Sequence, residues 1–518
     1  MSLSFADSLA LLGYLLVVMG IGLYFSKKNT STEEYFVGGR SFSGWAIGLS
    51  LVGTSISSIT FLAYPGDAYK TAWLRYLPNL MLPVVVFIAA YVFLPFFRRG
   101  NTITAYEYLE YRFGPSIRVY GAVTFIFGQL VRISLILYLL SLLIHELTGL
   151  SAEMSIILGG VFVAVYTIVG GIDAVIWTDV LQTIVLVLGG IVCLSVIVVS
   201  LPGGLEQIFS VASEHGKLTF AELKNGHLTP VDWSFSLQEK TGLMMLLLGL
   251  TAWLTEYSGN QNTVQRFCAS RSDHEARKAM FICAFSSLLI WAFYMFLGTA
   301  LYVFFQVFPT ETAAEILNGE RKAEQILPYF INNYLPSGVA GIVIAAALAA
   351  AISSLDSSIN AISTVSIVDI YRRFSRTEKT DKHYLMVAKL IATLTSVLMI
   401  IGAIVLMDAQ TKTLQDTATI LVSLVSGGVL GIYLLGFFTV RGDARAIWVG
   451  LILTALFTLW TILAKKGLLP TGWNLPFDLY YTAIIGNLLM FFSGFIVASF
   501  IFTAKRDVSE FSVWSSKG

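Results

Sequence analysis

The densest run of oxygen donors in this 518-residue chain is Ala350-Ala-Ile-Ser-Ser-Leu-Asp-Ser-Ser-Ile-Asn360. At 3.6 residues per turn, Ala350, Ser353, Ser354 and Ser357 share one helical face, with Asp356 and Asn360 on its flank. Hard, unhydrated cations take several oxygen ligands and no sulfur, so such a stripe suits sodium. A second donor-rich run reads Gly48-Leu-Ser-Leu-Val-Gly-Thr-Ser-Ile-Ser-Ser-Ile-Thr60, followed by Pro65 and Gly66. Its small and hydroxyl residues predict a helix broken between Gly53 and Ser57, with freed carbonyls lining a cavity or holding an ion. A small-residue face for close helix packing is the competing reading. A comparable interruption, Trp253-Leu-Thr-Glu-Tyr-Ser-Gly-Asn-Gln-Asn262, comes five spans later, and paired breaks of this kind point to a carrier with inverted repeats. Catalytic patterns are missing from the sequence: it has no glycine-rich phosphate loop, no Ser-His-Asp arrangement and no paired carboxylates in an aqueous segment. The three cysteines, Cys193, Cys268 and Cys283, lack metal spacing, and an enzyme is not expected.

The elements that must position these donors are apolar. Hydrophobic residues make up 56% and charged residues 13% of the chain, and mean hydropathy is +0.76. The net charge of +1 offers no basic surplus for nucleic acid. Apolar stretches able to cross roughly 30 Å of hydrocarbon begin near Phe5, Ser43, Trp73, Ile117, Ala152, Ala174, Gly242, Ala279, Gly338, Met386, Thr417, Ile447 and Tyr480. The expected fold class is an all-α polytopic membrane protein of about thirteen spans, in contact with lipid. The first span is not a cleaved signal, since Asp7 stands at its start and Lys27 and Lys28 follow it. The connections carrying Arg40, Arg98, Arg99, Arg112, Arg118, Arg266, Arg271, Arg277, Lys278, Arg372, Arg373, Arg441, Arg445, Lys505 and Arg506 are expected on the cytoplasmic side. That puts the N-terminus outside and the C-terminus inside a plasma membrane, a bacterial inner membrane by expectation. The sequon at Asn29 then lies inside. The outer loops from Pro202 to Lys240 and from Pro309 to Pro336 each read as holding a short amphipathic helix.

Ionisable side chains at membrane depth need partners, water or a function. Those expected there are Arg75, Arg132, Asp179, Glu256 and Asp356. Arg75 and Glu256 can also be read as snorkelling to an interface, and Arg132 as a structural partner of Asp179 or of Glu256.

In this order and spacing the chain resembles the sodium:solute symporter family. The carriers of the likeness are Tyr35-Phe-Val-Gly-Gly-Arg40 leading into Gly53 to Thr60, Gly170-Gly-Ile-Asp-Ala-Val-Ile-Trp-Thr-Asp-Val-Leu-Gln182, Val264-Gln-Arg266, Ala350 to Asn360, and Asp369-Ile-Tyr371. The resemblance implies one LeuT-type transporter domain over 1–518. Within it, 5–26 is an extra helix, 43–200 the first five-helix repeat, 241–438 the inverted second repeat, and 446–504 two further helices. It implies sodium as the coupling ion and a main sodium site at Gly53, Ile56, Ala350, Ser353 and Ser354. A second sodium, as in the sialic acid branch, would fall to Asp179, Ser353, Asp356 and Ser357, where an acid, Asp356, replaces that branch's hydroxyl. The solute residues implied are Ser55, Ser57, Thr60, Arg75, Asn79, Arg132, Tyr257, Asn260 and Gln261. Arg132 matches an arginine that meets the sugar carboxylate in that branch, so an acidic sugar or other organic anion is the expected solute. A neutral sugar or a monocarboxylate is the alternative. The carrier is expected to work as a monomer, by alternating access, with sodium and a small solute as its partners.

Overall fold

The computed structural model describes residues 4–26, 31–99, 102–224, 226–408, 427–502 and 508–514. Lys27, Lys28, Asn29, Thr417, Lys505 and Arg506 lie outside the described residues. The chain is helical almost throughout, because a backbone in hydrocarbon must satisfy its polar groups within each segment.

In chain order the first elements are α1 (Phe5–Ser26), α2 (Gly44–Ser55), α3 (Ser58–Lys70), α4 (Leu74–Arg98), α5 (Ala105–Phe113), α6 (Pro115–Thr148) and α7 (Ala152–Ser200). The outer-loop helix α8 (Gly204–Glu214) precedes a hairpin of β1 (Ala221–Lys224) and β2 (His227–Pro230). Then come α9 (Gly242–Gly259), α10 (Gln261–Ala269), α11 (Asp273–Val307), α12 (Glu311–Asn318), α13 (Ile326–Tyr334) and α14 (Val339–Phe374). The last four are α15 (Asp381–Asp408), α16 (Val429–Phe438), α17 (Ala444–Lys465) and α18 (Tyr481–Phe500).

Among the described residues, nine helices are long and apolar enough to cross a membrane, and α2 with α3 makes a tenth span bent by 58°. The two spans expected from Ala152 and Ala174 are both present, as two helices that meet at a kink without a loop and are taken together as α7. Gly171 divides it, at φ 61° and ψ −164°, a conformation essentially reserved for glycine. The hairpin is a local departure from all-α structure, and its Asn225-Gly226 dipeptide is a turn signal in the sequence.

The span α14 sits at the centre, packed against α7, α6, α1 and α15, and 89% of its most apolar window is buried. Its small side chains, from Ala345 to Ala351, allow neighbours to approach from every side. The broken pair α2 and α3 lies against α7 and α11, so the two oxygen-rich runs of the sequence face one another across the core.

The C-terminal end of α3 is moored by a buried lysine. Lys217 Nζ donates to the carbonyls of Tyr69 at 2.6 Å and Thr71 at 2.8 Å, and lies 4.0 Å from the centre of the Tyr302 ring. A cation at a helix C-terminus meets the negative end of the helix dipole and carbonyls that lack intrahelical donors. Burial pushes this ammonium down to about 7, whereas an unfolded lysine titrates near 10.4. Between those values the unfolded chain holds a proton that the folded chain lacks, so this residue makes stability rise with pH. The gain in apparent melting temperature of detergent-purified protein between pH 7 and 9 is therefore expected to be smaller in Lys217→Met than in the wild type.

Candidate cation and solute site

The first break falls at two residues. Ile56 (φ −101°, ψ 104°) and Ser57 (φ −105°, ψ −177°) are extended, while Ile56 N still bonds to Val52 O at 2.9 Å. Helix-type donors to the next carbonyls are lost, and Ser353 Oγ from α14 bonds Gly53 O at 2.8 Å. Ser57 caps the resumed helix by accepting from Ile59 N at 3.3 Å. Gly53 is required here by contact: a Cβ would stand 2.9 Å from Thr183 Oγ1 and 3.2 Å from Asp179 O, both on α7. One turn along α14, Thr54 and Ser357 hydroxyls meet at 3.3 Å. Ser354 is 1% exposed, and its hydroxyl has no hydrogen-bond partner among the described residues. An orphaned hydroxyl beside a helix break is the donor chemistry that a dehydrated sodium ion takes. The residues present fit the ion.

Beside this junction lies a buried charge network. Arg266 donates from Nε to Ser50 Oγ at 2.7 Å, and from one terminal nitrogen to Asp179 Oδ2 and Ser357 Oγ, each at 2.7 Å. Ser50 Oγ also donates to Asp179 Oδ2 at 2.6 Å. Asp179 and Asp356 are fully buried and Arg266 is 1% exposed. Asp356 Oδ2 accepts from Tyr166 at 2.6 Å and from Thr178 at 3.3 Å, while Oδ1 accepts from Ser357 N at 2.6 Å. Among the described residues Asp179 Oδ1 has no hydrogen-bond partner. The guanidinium is paired with Asp179, while Asp356 is held by hydroxyls and a backbone amide, in a region where an unpaired charge is expensive.

Arg266 corrects the sequence reading twice. It was expected in a cytoplasmic connection, but α10 is the second half of a broken helix and carries it into the protein core. It also takes the place of Arg132 as the partner of Asp179. The second break is at Asn260 (φ −89°, ψ 116°), between α9 and α10. Glu256 accepts from Asn260 Nδ2 and Thr263 Oγ1, each at 2.7 Å, so it does not pair with Arg132 either. α10 is fixed to α14 by Gln265 Nε2, which donates to Asn360 Oδ1 at 2.8 Å.

The expected solute residues divide into free and committed groups. Arg132 is half-buried near the midpoint of α6 and has no hydrogen-bond or ion-pair partner among the described residues. Gln129, one turn before it, meets Ser358 of α14 at 3.1 Å, which turns this side of α6 toward the core. Arg75 pairs with Asp67 rather than snorkelling. Asn79 donates to Tyr64 OH at 2.6 Å, and Thr60 accepts from Trp291 Nε1 at 3.2 Å. Ser55 lies 4.0 Å from Cys283 Sγ, and buried Tyr257 is beside the same thiol. Gln261 is turned away from any solute: its amide binds Ile103 O at 2.9 Å and Ala105 N at 2.8 Å. Tyr166, Thr178 and Ser50 were missed by the sequence reading. The signal that could have found them is the demand of two buried acids for hydroxyl donors.

Residues 35–454 match the model of the sodium:solute symporter family. The chain is 30% identical over 515 residues to the sodium/sialic acid symporter SiaT of Proteus mirabilis (strain HI4320), covering 98% of each. It superimposes at a TM-score of 0.86 and 30% identity on the substrate-bound, outward-open structure of a Na+-coupled sialic acid symporter, covering 96% of this chain and 98% of that one. The closed structure of Mhp1, a nucleobase-cation-symport-1 family transporter, shares the fold at a TM-score of 0.55 and 13% identity, over 91% and 96% of the two chains.

Because a Cβ at position 53 meets α7 within 3 Å, Gly53→Ala is expected to push the break away from α7 and so to disturb its register with α14. Sodium-dependent uptake into proteoliposomes should fall at least tenfold while the protein still purifies as a folded monodisperse species; uptake at the wild-type rate would contradict the packing argument.

Proposed function

We propose a solute and a cation arrangement from one premise: the chain belongs to the sodium:solute symporter family. It is a multi-pass membrane carrier of the LeuT-type fold that couples the entry of a small solute to sodium, and it is not an enzyme. The principal sodium ion is held by the carbonyls of Gly53, Ile56 and Ala350 and the hydroxyls of Ser353 and Ser354. The orphaned Ser354 hydroxyl supports this reading. A second monovalent cation sits among Asp179, Ser353, Asp356 and Ser357. Its support is that Asp356 is buried near Asp179, whereas the guanidinium of the network pairs with Asp179 and not with Asp356.

The solute is an acidic sugar of the sialic acid type. The observation that carries this is Arg132, a cation near the midpoint of a membrane-spanning helix with no ion-pair partner among the described residues. A guanidinium left in that state suits a carboxylate bidentately. Ser55, Ser57, Thr60, Asn79, Tyr257 and Asn260 supply hydroxyl and amide contacts around it, and Arg75 stands nearer the outer end. The similarity to SiaT of Proteus mirabilis supports the same class.

Sodium joins the broken α2 and α3 to α14, which stabilises the outward-facing arrangement and raises affinity for the solute. Coupling requires only that the ion and the solute bind that arrangement better than the alternative. The two halves, 43–200 and 241–438, then rock against one another. Sodium leaves first into the sodium-poor cytoplasm, and the solute follows. The carrier acts as a monomer, with its N-terminus outside and its C-terminus inside the bacterial inner membrane. Lipid covers the apolar outer faces of helices such as α1, where Leu9 and Leu16 are more than half exposed.

Thermal stabilisation of purified protein by N-acetylneuraminic acid, lactate and galactose, each in sodium and in potassium, tests the solute class, since a ligand of the native state raises apparent stability. A sodium-dependent shift with the acidic sugar is expected, and Arg132→Ala should abolish it while leaving the shift by sodium alone. A shift with galactose alone would reduce Arg132 to a structural role. Asp179→Asn should lower the Hill coefficient for sodium in uptake from near two toward one; an unchanged coefficient would remove the second cation from this place.

A further inference from the structure

Of the described residues of α1, four are buried: Asp7, Tyr14, Val18 and Gly22. Their spacing of seven, four and four residues places them on one stripe, with Leu11, Leu15 and Met19 packed against the core beside it. Three of the four meet the machinery described above. Gly22 admits Tyr166, since a Cβ there would stand 2.8 Å from Tyr166 Cβ and 3.3 Å from its carbonyl oxygen. Tyr166 is the donor to Asp356. Tyr14 lies beside Gln182, within electrostatic reach of Asp356 and Asp179.

Asp7 does something more specific. The helix α14 starts after Gly338, which adopts φ 86° and has no side chain with which to cap the first turn. A helix N-terminus leaves its first amides without intrahelical acceptors. Here Asp7 Oδ1 accepts from Gly338 N and from Gly341 N, each at 2.7 Å. One carboxylate oxygen thereby performs both roles of a capping box, from a helix more than 300 residues away. Its other oxygen accepts from Ser4 Oγ at 2.5 Å, and Ser4 is bonded in turn to Ser337. The backbones meet directly: a Cβ on Gly341 would stand 2.5 Å from Asp7 Cα and 2.6 Å from Asp7 O.

We propose that α1, although outside the two repeats, is a working part of the cation site, with Asp7 the positioning residue that caps α14 and holds Ser353 and Ser354 opposite the break in α2 and α3. This rests on the sodium site proposed above. The register of α14 relative to α2 decides whether the two serine hydroxyls and the freed carbonyls converge. A cap supplied in trans fixes that register along the axis and in rotation, which a cap on the helix itself would not do.

The test uses full-length, detergent-purified protein with sodium chloride against potassium chloride as the only ligand, reading apparent melting temperature across a sodium titration. Asp7→Ala is expected to raise half-saturating sodium roughly three- to tenfold, while Asp7→Asn and Asp7→Ser, which retain a capping oxygen, stay within about twofold of wild type. Gly341→Ala keeps the carboxylate but forces the backbones apart, and should raise half-saturating sodium in the same direction. A purely structural role would lower the melting temperature in potassium and leave the sodium midpoint of both Asp7→Ala and Gly341→Ala unchanged, which overturns the proposal. Ser354→Ala separates the two readings. If it too leaves the sodium midpoint unmoved, the sodium site is misplaced; if it shifts the midpoint while the Asp7 and Gly341 variants do not, only the role of α1 fails.

Discussion

The carbonyl of Gly53, released where α2 ends in the middle of the membrane, has to be met by a donor or a cation. Water is scarce there, and an unsatisfied backbone group costs several kcal/mol. Ser353 meets it from α14. That single bond requires α14 to lie within hydrogen-bond reach of the break, which in turn requires its small side chains and its central position. It also requires α7 to come close from the other side, and the missing side chain at Gly53 makes room for it. The arrangement has two ways of being satisfied, by serine hydroxyls alone or by hydroxyls and carbonyls gathered around an ion. A carrier needs two such states of similar energy, so that a modest difference in ion binding decides between them.

The charges follow the same logic. Asp179, Asp356 and Arg266 would each be costly alone in this setting, yet together they form a network in which hydroxyls from α2, α7 and α14 take part. Such networks are held by geometry: if α10 moves relative to α7, the guanidinium leaves Asp179 behind. The second broken helix is therefore tied electrostatically to the first, and each half of the molecule carries part of the other's compensation. This gives the pairing of the two breaks a physical content beyond their symmetry in the chain.

Both breaks could be read from composition, since runs of Gly, Ser, Thr, Asn and Gln interrupt apolar spans and are hard to explain as lipid-facing helix. The oxygen stripe on α14 followed from helical periodicity alone. What escaped was whatever depends on a third segment arriving. Arg266 looked like a loop cation because a charge beyond an apolar run is usually solvated, and nothing local indicates that α10 turns back into the core. The division of α7 did not escape: Gly170-Gly171 reads as a connection, and one glycine in a rare conformation makes the kink between its two helices. Asp7 looked like a flanking charge. Its partners are backbone amides, which carry no residue identity and so leave no trace in a sequence pattern.

The trans cap also has a history in time. Asp7 is made 331 residues before the first amide it binds, and at about 5 to 20 residues per second that interval is roughly 15 to 70 seconds. Throughout it, the carboxylate lacks the two amides it will cap, although α7 can already pack on the other end of the stripe at Gly22 and Tyr14. When Gly338 emerges, the carboxylate is already in place, so the first turn of α14 is completed by a group waiting for it. A helix made early in the chain thereby becomes the template on which the most buried of the described spans is seated.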